Sequence, residues 1–334
     1  MTTDSDPNPL ALLEQGLEFH KSGQLQEAEG VYRQVLEQQS DNADALHYLG
    51  LLAAQGNAGE KGIELIEQSL SINPANAAAH GNLGNMLRDA GRLDDAIKHF
   101  QQSIEIGPEF AGAHSDLGRT LMDLGRLEDA AAALTKSISL EAEFLETHSN
   151  LGLIYLSLGK ADQAAECFKL AIALDANIPD LYLNLSLALQ TQGKLNEALE
   201  EIKRAVAMAP DQADFAFNLG TIYQDLGKTE DAITAYERAV SLDARMFQAH
   251  CNLGAILENQ EGRLDDAVDH YQKALAIEPN VAAVLVNLGN ALQSKEQFEE
   301  AIASYEKALA ISPDPATEIA LRQLRAKQLP PRRK

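Results

Sequence analysis

Asparagine recurs at a fixed interval along this chain. Asn150, Asn184, Asn218 and Asn252 are each 34 residues apart, Asn287 follows one residue late, and Asn82 precedes them with Asp116 at the intervening place. Asn is a mediocre helix-interior residue because its side chain competes for backbone hydrogen bonds, yet helix formers flank every copy. A carboxamide carries both donor and acceptor, so a row of them could meet the N–H and C=O groups of an extended peptide without reading its side chains. The other use of the same amide is to bond an adjacent helix and order the stack. Histidine shows a similar recurrence at His80, His114, His148 and His250. A stacked row of imidazoles could suggest a metal, but the place is a bulky packing position and imidazole fills it, so these are read as structural. No HExxH, phosphate loop or GxSxG occurs. Acidic pairs such as Asp94-Asp95 return with the period and mark helix starts. Neither an enzyme nor a cofactor is expected.

The elements that position these residues form a repeat. Numbering each copy so that a small residue falls at position 8 gives Gly16, Gly50, Gly84, Gly118, Gly152, Ser186, Gly220, Gly254 and Gly289. Regular self-similarity at this period means stacked supersecondary units. Nine units are expected near 9–42, 43–76, 77–110, 111–144, 145–178, 179–212, 213–246, 247–281 and 282–315, after a disordered lead-in at 1–8. A capping helix at 316–329 and a basic tail at 330–334 complete the chain. Each unit carries two apolar stretches at helical spacing, separated by a turn such as Gly91/Leu93 or Gly125/Leu127, where Gly suits a helix C′ position. Position 8 is tiny, position 20 is usually Ala, and position 24 is large (Tyr32, Phe100, Phe168, Tyr236, Tyr271, Tyr305). Large against small should fix each helix pair. The second unit breaks the pattern with Gly62 in place of Ala, plus Gly56 and Gly59, and is expected to be the least stable interior unit. The eighth carries one extra residue near Glu258–Gly262, expected in a longer inter-helix turn.

The skeleton His250-Leu253-Gly254-Leu257-Ala267-Tyr271-Ala274-Pro279 resembles the tetratricopeptide repeat (TPR), and the resemblance covers all nine units. It implies an all-α, right-handed solenoid whose first helices line a concave surface, and so places Asn82, Asp116, Asn150, Asn184, Asn218, Asn252 and Asn287 in one interior row. That row is similar to the asparagine ladder in the repeat domain of O-linked N-acetylglucosamine transferases and SPINDLY proteins, which implies capture of an extended peptide. The strongest track is expected from Asn150 to Asn287. Family members that hold a C-terminal carboxylate use a basic clamp; here the matching positions are Gly81, Ser115, Ser149, Leu183 and Phe217, so that mode is not expected.

Composition narrows the partner. The formal net charge of −23 argues against non-specific nucleic-acid binding and against anionic membrane surfaces. Acidic residues dominate the inner positions (Asp44, Asp89, Asp116, Asp123, Glu146, Asp180, Asp214, Asp225, Glu258, against Arg88 and Arg119), which favours a basic or neutral segment. Two distant cysteines, Cys167 and Cys251, suggest neither a disulfide framework nor zinc. No signal peptide or apolar run of membrane length is evident, and a cytoplasmic location is expected. The function expected is a non-enzymatic scaffold that binds an extended protein segment. The alternatives are the substrate-recognition region, or a partner subunit, of an O-linked glycosyltransferase, and a self-assembling homo-oligomer.

Overall fold

The computed structural model describes residues 8–56 and 58–328. The sequence expectations for the first seven residues and for the tail at 330–334 lie outside the described residues. Among those described, there are nineteen α-helices and no strand. The chain forms two compact bodies, Met1–Asp175 and Ala176–Lys334. The first body holds α1 (Pro9–Lys21), α2 (Leu25–Gln38), α3 (Ala43–Gln55), α4 (Gly59–Ile72), α5 (Ala77–Asp89), α6 (Leu93–Ile106), α7 (Ala111–Asp123), α8 (Leu127–Leu140), α9 (Leu145–Ser157) and α10 (Ala161–Leu174). The second holds α11 (Pro179–Thr191), α12 (Leu195–Met208), α13 (Ala213–Asp225), α14 (Thr229–Leu242), α15 (Phe247–Leu257), α16 (Leu264–Ile277), α17 (Ala282–Ser294), α18 (Phe298–Ile311) and α19 (Pro315–Gln328).

Glycine against a large side chain sets the helix pairs. A Cβ at Gly84 would stand 2.6 Å from a Phe100 ring carbon, and one at Gly254 would stand 2.5 Å from Tyr271. Gly16, Gly152, Gly220 and Gly289 meet Tyr32, Phe168, Tyr236 and Tyr305 in the same way. Phe100, Phe168, Tyr236 and Tyr271 are fully buried, and burying each such side chain is worth about 1.5–3 kcal/mol. Within each body every odd-numbered helix after the first also packs on the even helix before it, as α5 does on α4 and α13 on α12. Neighbouring odd helices touch as well: α3 with α5, α5 with α7, α7 with α9, and α11 with α13. Odd-numbered helices thus lie side by side from α3 to α9 in the first body and at α11 and α13 in the second.

The turns inside the pairs share one mechanism. After α5, Gly91 N–H donates to Arg88 O (2.9 Å) and Arg92 N–H to Leu87 O (2.8 Å), with Gly91 at φ 74°. This is a Schellman closure, which needs a left-handed residue at C′. The ninth repeat makes the same two bonds through Glu296 and Gln297, but Glu296 must take φ 61° without being glycine. In the eighth repeat the added residue shortens α15 to eleven residues, and the turn to α16 spans 258–263. The last helix starts at Pro315, one residue before the expected 316, because Asp314 caps it: its carboxylate accepts from the Thr317 N–H (2.8 Å) and hydroxyl (2.6 Å).

Gly62 has a packing reason that composition hides. A Cβ there would collide with Met86 Cε and stand 2.7 Å from the Gly50 carbonyl oxygen. The second repeat brings its two helices together glycine to glycine, and Met86 fills the notch. Gly62→Ala should therefore lower stability, by about 1–3 kcal/mol from overpacking, although alanine is the better helix former by about 1 kcal/mol; chemical denaturation reads the difference. Glu296→Gly should do the reverse. Relief of a left-handed residue, worth about 1–2 kcal/mol, exceeds the added chain entropy of glycine, about 0.5–1 kcal/mol, so its thermal midpoint should rise.

Candidate functional site

Every asparagine of the row lies on an odd-numbered helix and is half-buried. Their surroundings differ. In the first body, Asn82 donates Nδ2–H to His47 Nε2 (2.9 Å) across from α5 to α3, and burial holds the His47 pKa below its ordinary value, leaving that nitrogen free to accept. Asp116 accepts from Asn85 Nδ2 (2.9 Å) and Arg119 (3.1 Å), and Arg88 stands 3.6 Å away. Arg119 also reaches Glu146 on α9 at 3.0 Å. These two ladder positions thus serve the stack. Asn150, the third in this body, makes no side-chain hydrogen bond among the described residues.

In the second body the amides are freer. Asn184 on α11 and Asn287 on α17 make no side-chain hydrogen bond among the described residues. Asn218 on α13 spends one N–H on the Asp214 carbonyl (2.8 Å). Asn252 on α15 donates to the Tyr236 hydroxyl (3.0 Å), which itself donates to Gln224 Oε1 (2.8 Å). All four side-chain carbonyls are without a donor among the described residues. The sequence marks Tyr236 only as a large filler; its hydroxyl also fixes the orientation of Asn252. A buried tyrosine needs a partner for that group, and the position is filled by Phe, Leu or Ile in five of the nine repeats, which was the available signal.

Charge separates the two faces. Helices α11, α13, α15 and α17 carry no Lys or Arg, and their acidic residues are Asp180, Asp214 and Asp225. Gln190 on α11 donates to Asp225 on α13 at 2.6 Å. The first body's odd helices include Arg88 and Arg119, which are occupied by the ion pairs just described.

The histidines are structural. His80, His114, His148 and His250 hold Nε2 at 3.2, 3.1, 2.9 and 3.2 Å from the carbonyl six residues earlier, that of Pro74, Pro108, Ala142 or Ala244. Tyr182 takes the same role with Ala176 at 3.1 Å. Two of the four also pair with a second ring: His80 and His99 approach Nδ1 to Nδ1 at 3.0 Å, His250 and His270 at 2.9 Å. Because His80 and His250 donate from Nε2, their neutral Nδ1 accepts, and His99 and His270 donate. Ring centroids are 5.2 and 5.1 Å apart, so the nitrogens meet head-on through one proton. Among the described residues no group of three or more His, Cys, Asp or Glu is placed to hold a metal ion.

Burial, then the neighbouring ring, lowers the pKa of His99, and pushes that of His270 down to about 4. Burial also lowers His250. The unfolded chain then binds more protons than the folded one below the ordinary histidine value near 6.5. Stability from these pairs is complete above that pH and is lost as pH falls toward 4. The wild type should lose more thermal stability between pH 7 and pH 4.5 than a His99→Gln/His270→Gln variant, which removes the effect while sharing every carboxylate; circular dichroism melts of both give the comparison.

Similarity to known proteins agrees with this architecture. Models of the tetratricopeptide repeat match residues 74–146 and 245–314, and residues 13–75 and 183–223; a TPR repeat model matches 152–193 and 220–261. No curated protein sequence matches. Among solved structures, the C-terminal part of a TPR repeat-containing protein from Cytophaga hutchinsonii is 18% identical with a TM-score of 0.58, covering 71% of this chain and 97% of that one. The Cut9–Hcn1 hetero-tetramer of the APC/C is 16% identical with a TM-score of 0.54, covering 94% and 75%. YrrB, a TPR protein with an unusual peptide-binding site, is 25% identical with a TM-score of 0.48, covering 58% and 99%. The first two show the fold alone. No described helix is long and apolar enough to cross a membrane.

Proposed function

From the premise that this chain is built of tetratricopeptide repeats, we propose that it is a non-enzymatic scaffold that binds an extended segment of a partner protein along its odd-numbered helices. TPR proteins mediate protein–protein interactions. The observation that supports this particular mode is the amide row of the second body. Asn184, Asn218, Asn252 and Asn287 are half-buried on one set of helices, and the carbonyl of each has no donor among the described residues. An extended peptide offers N–H donors to those carbonyls and C=O acceptors to the free N–H groups. Because this contact is to backbone, it accepts many sequences.

Asp116 is not part of the proposed contact, since its carboxylate is held by Asn85 and Arg119. Asn82 gives one N–H to His47, as Asn252 gives one to Tyr236, but it lies in the first body, cut off from the unbroken row by Asp116. The working residues are Asn184, Asn218, Asn252 and Asn287, with Asn150 a separate candidate in the first body. The acidic character of the second face favours a neutral or basic segment.

The test is a displayed library of random 15-residue peptides, selected on the wild type and on an Asn184→Ala/Asn218→Ala/Asn252→Ala variant. Three hydrogen bonds at about 0.5–1.5 kcal/mol each predict a loss of affinity of about tenfold or more, with helicity unchanged by circular dichroism. Equal affinity of both proteins for the selected peptides would show that the amides serve only the fold.

A further inference from the structure

Beside the amide row of the second body runs a second row, one position earlier in each repeat: Leu183, Phe217, Cys251 and Val286. All four are half-buried. Phe217, Cys251 and Val286 pack their inner parts against buried clusters of the body, so they are anchored by their inner surfaces and partly open outside. The same position in the first body is Leu13, His47, Gly81, Ser115 and Ser149; Leu13 and His47 are buried, and the Ser115 hydroxyl is occupied by Thr147 Oγ1 at 2.9 Å. Four successive apolar, half-buried residues at this position are therefore a property of the second body and not of the repeat pattern.

The strip and the amide row meet in one cluster. The Phe217 ring lies 5.6 Å from the Tyr236 ring, and the Tyr236 hydroxyl takes the Asn252 amide while donating to Gln224. A chain whose backbone lies on Asn252 would thus have its near side chains over Phe217 and its neighbours. The only formal charges on the four odd helices are Asp180, Asp214 and Asp225.

We propose that the second body selects side chains as well as backbone, taking an extended peptide with aliphatic residues toward the strip of Leu183, Phe217, Cys251 and Val286 and with basic residues toward Asp180, Asp214 and Asp225. This rests on the amide-row reading and adds sequence selectivity to it. Burial of aliphatic groups at half-open sockets supplies affinity that amide contacts alone do not, and the carboxylates steer cations and repel acids.

The probes are three synthetic 12-residue peptides on a common Ser/Thr background: one with four Leu and three Lys, one with the Leu replaced by Ser, and one with the Lys replaced by Glu. Fluorescence anisotropy with wild-type protein should give at least tenfold tighter binding of the Leu/Lys peptide than of either other. Phe217→Ser/Val286→Ser should bring Leu/Lys down to the Ser/Lys level and leave Ser/Lys unchanged. Phe217 also packs on Tyr236, so the near-isosteric Val286→Thr is read alongside and should give a smaller loss confined to the Leu/Lys peptide. The Asn184→Ala/Asn218→Ala/Asn252→Ala variant should weaken Leu/Lys and Ser/Lys in the same proportion. Equal wild-type affinity for Leu/Lys and Ser/Lys would overturn the apolar selection while the amide variant still tests the backbone reading. If the amide variant binds like wild type and the strip variants do not, the backbone reading falls and the strip stands. Absence of binding by all three peptides overturns both.

Discussion

Close approach of two helix backbones, glycine on one and a large side chain on the other, is the constraint from which the rest of this structure follows. It repeats at Gly84 with Phe100, Gly152 with Phe168, Gly220 with Tyr236 and Gly254 with Tyr271, and each time the large group is shut away from solvent. Once a pair is locked, its remaining apolar surface belongs to the next odd helix, and stacking proceeds mainly through helices adjacent or next-but-one along the chain. Stability in such an array is a sum of pair and neighbour contributions. Turn chemistry keeps the register. The Schellman closure ends one helix and hands the chain to the next within a few residues in most repeats.

Against that background the polar groups sort by whether the stack uses them. The histidines secure the chain between repeats by reaching back six residues to a carbonyl. Asp116, Arg88, Arg119 and Glu146 form an ion-pair network across α5, α7 and α9, and Asn82 joins α5 to α3. In the second body the equivalent asparagines have little structural employment. A polar side chain kept at a regular place while half its hydrogen-bonding capacity stays open is hard to explain by packing; the second body carries four of them in successive repeats, whereas Asp116 interrupts the row in the first, and the proposed contact is placed on the second for that reason.

The fold was legible in the sequence because period, small–large alternation and turn glycines are all local signals that agree with one another. The position of each amide on a first helix was legible for the same reason. What each amide does was not. Asn82 and Asn252 occupy the same repeat position, yet one serves His47 and the other Tyr236, and those partners come from different repeats with different fillers. The status of Asp116 depended on Arg88, Asn85 and Arg119 converging from two helices. Gly62 read as a weak point because helix propensity counts only its own helix, whereas its effect is on the distance to Gly50 and on the room it leaves for Met86. In each case the missing information was the identity of a neighbour across a helix boundary.

Tyr236 belongs to two environments at once. Its ring is part of the packed interior and lies against Gly220, while its oxygen, also buried, joins Gln224 to the half-buried Asn252. Whatever met Asn252 would be coupled to the core through that hydrogen bond. A bound segment would steady α13, α14 and α15 together, and any loosening of those three helices would blunt the grip on the segment. Occupancy and local rigidity thereby become two readings of the same equilibrium, with a single phenol as the joint.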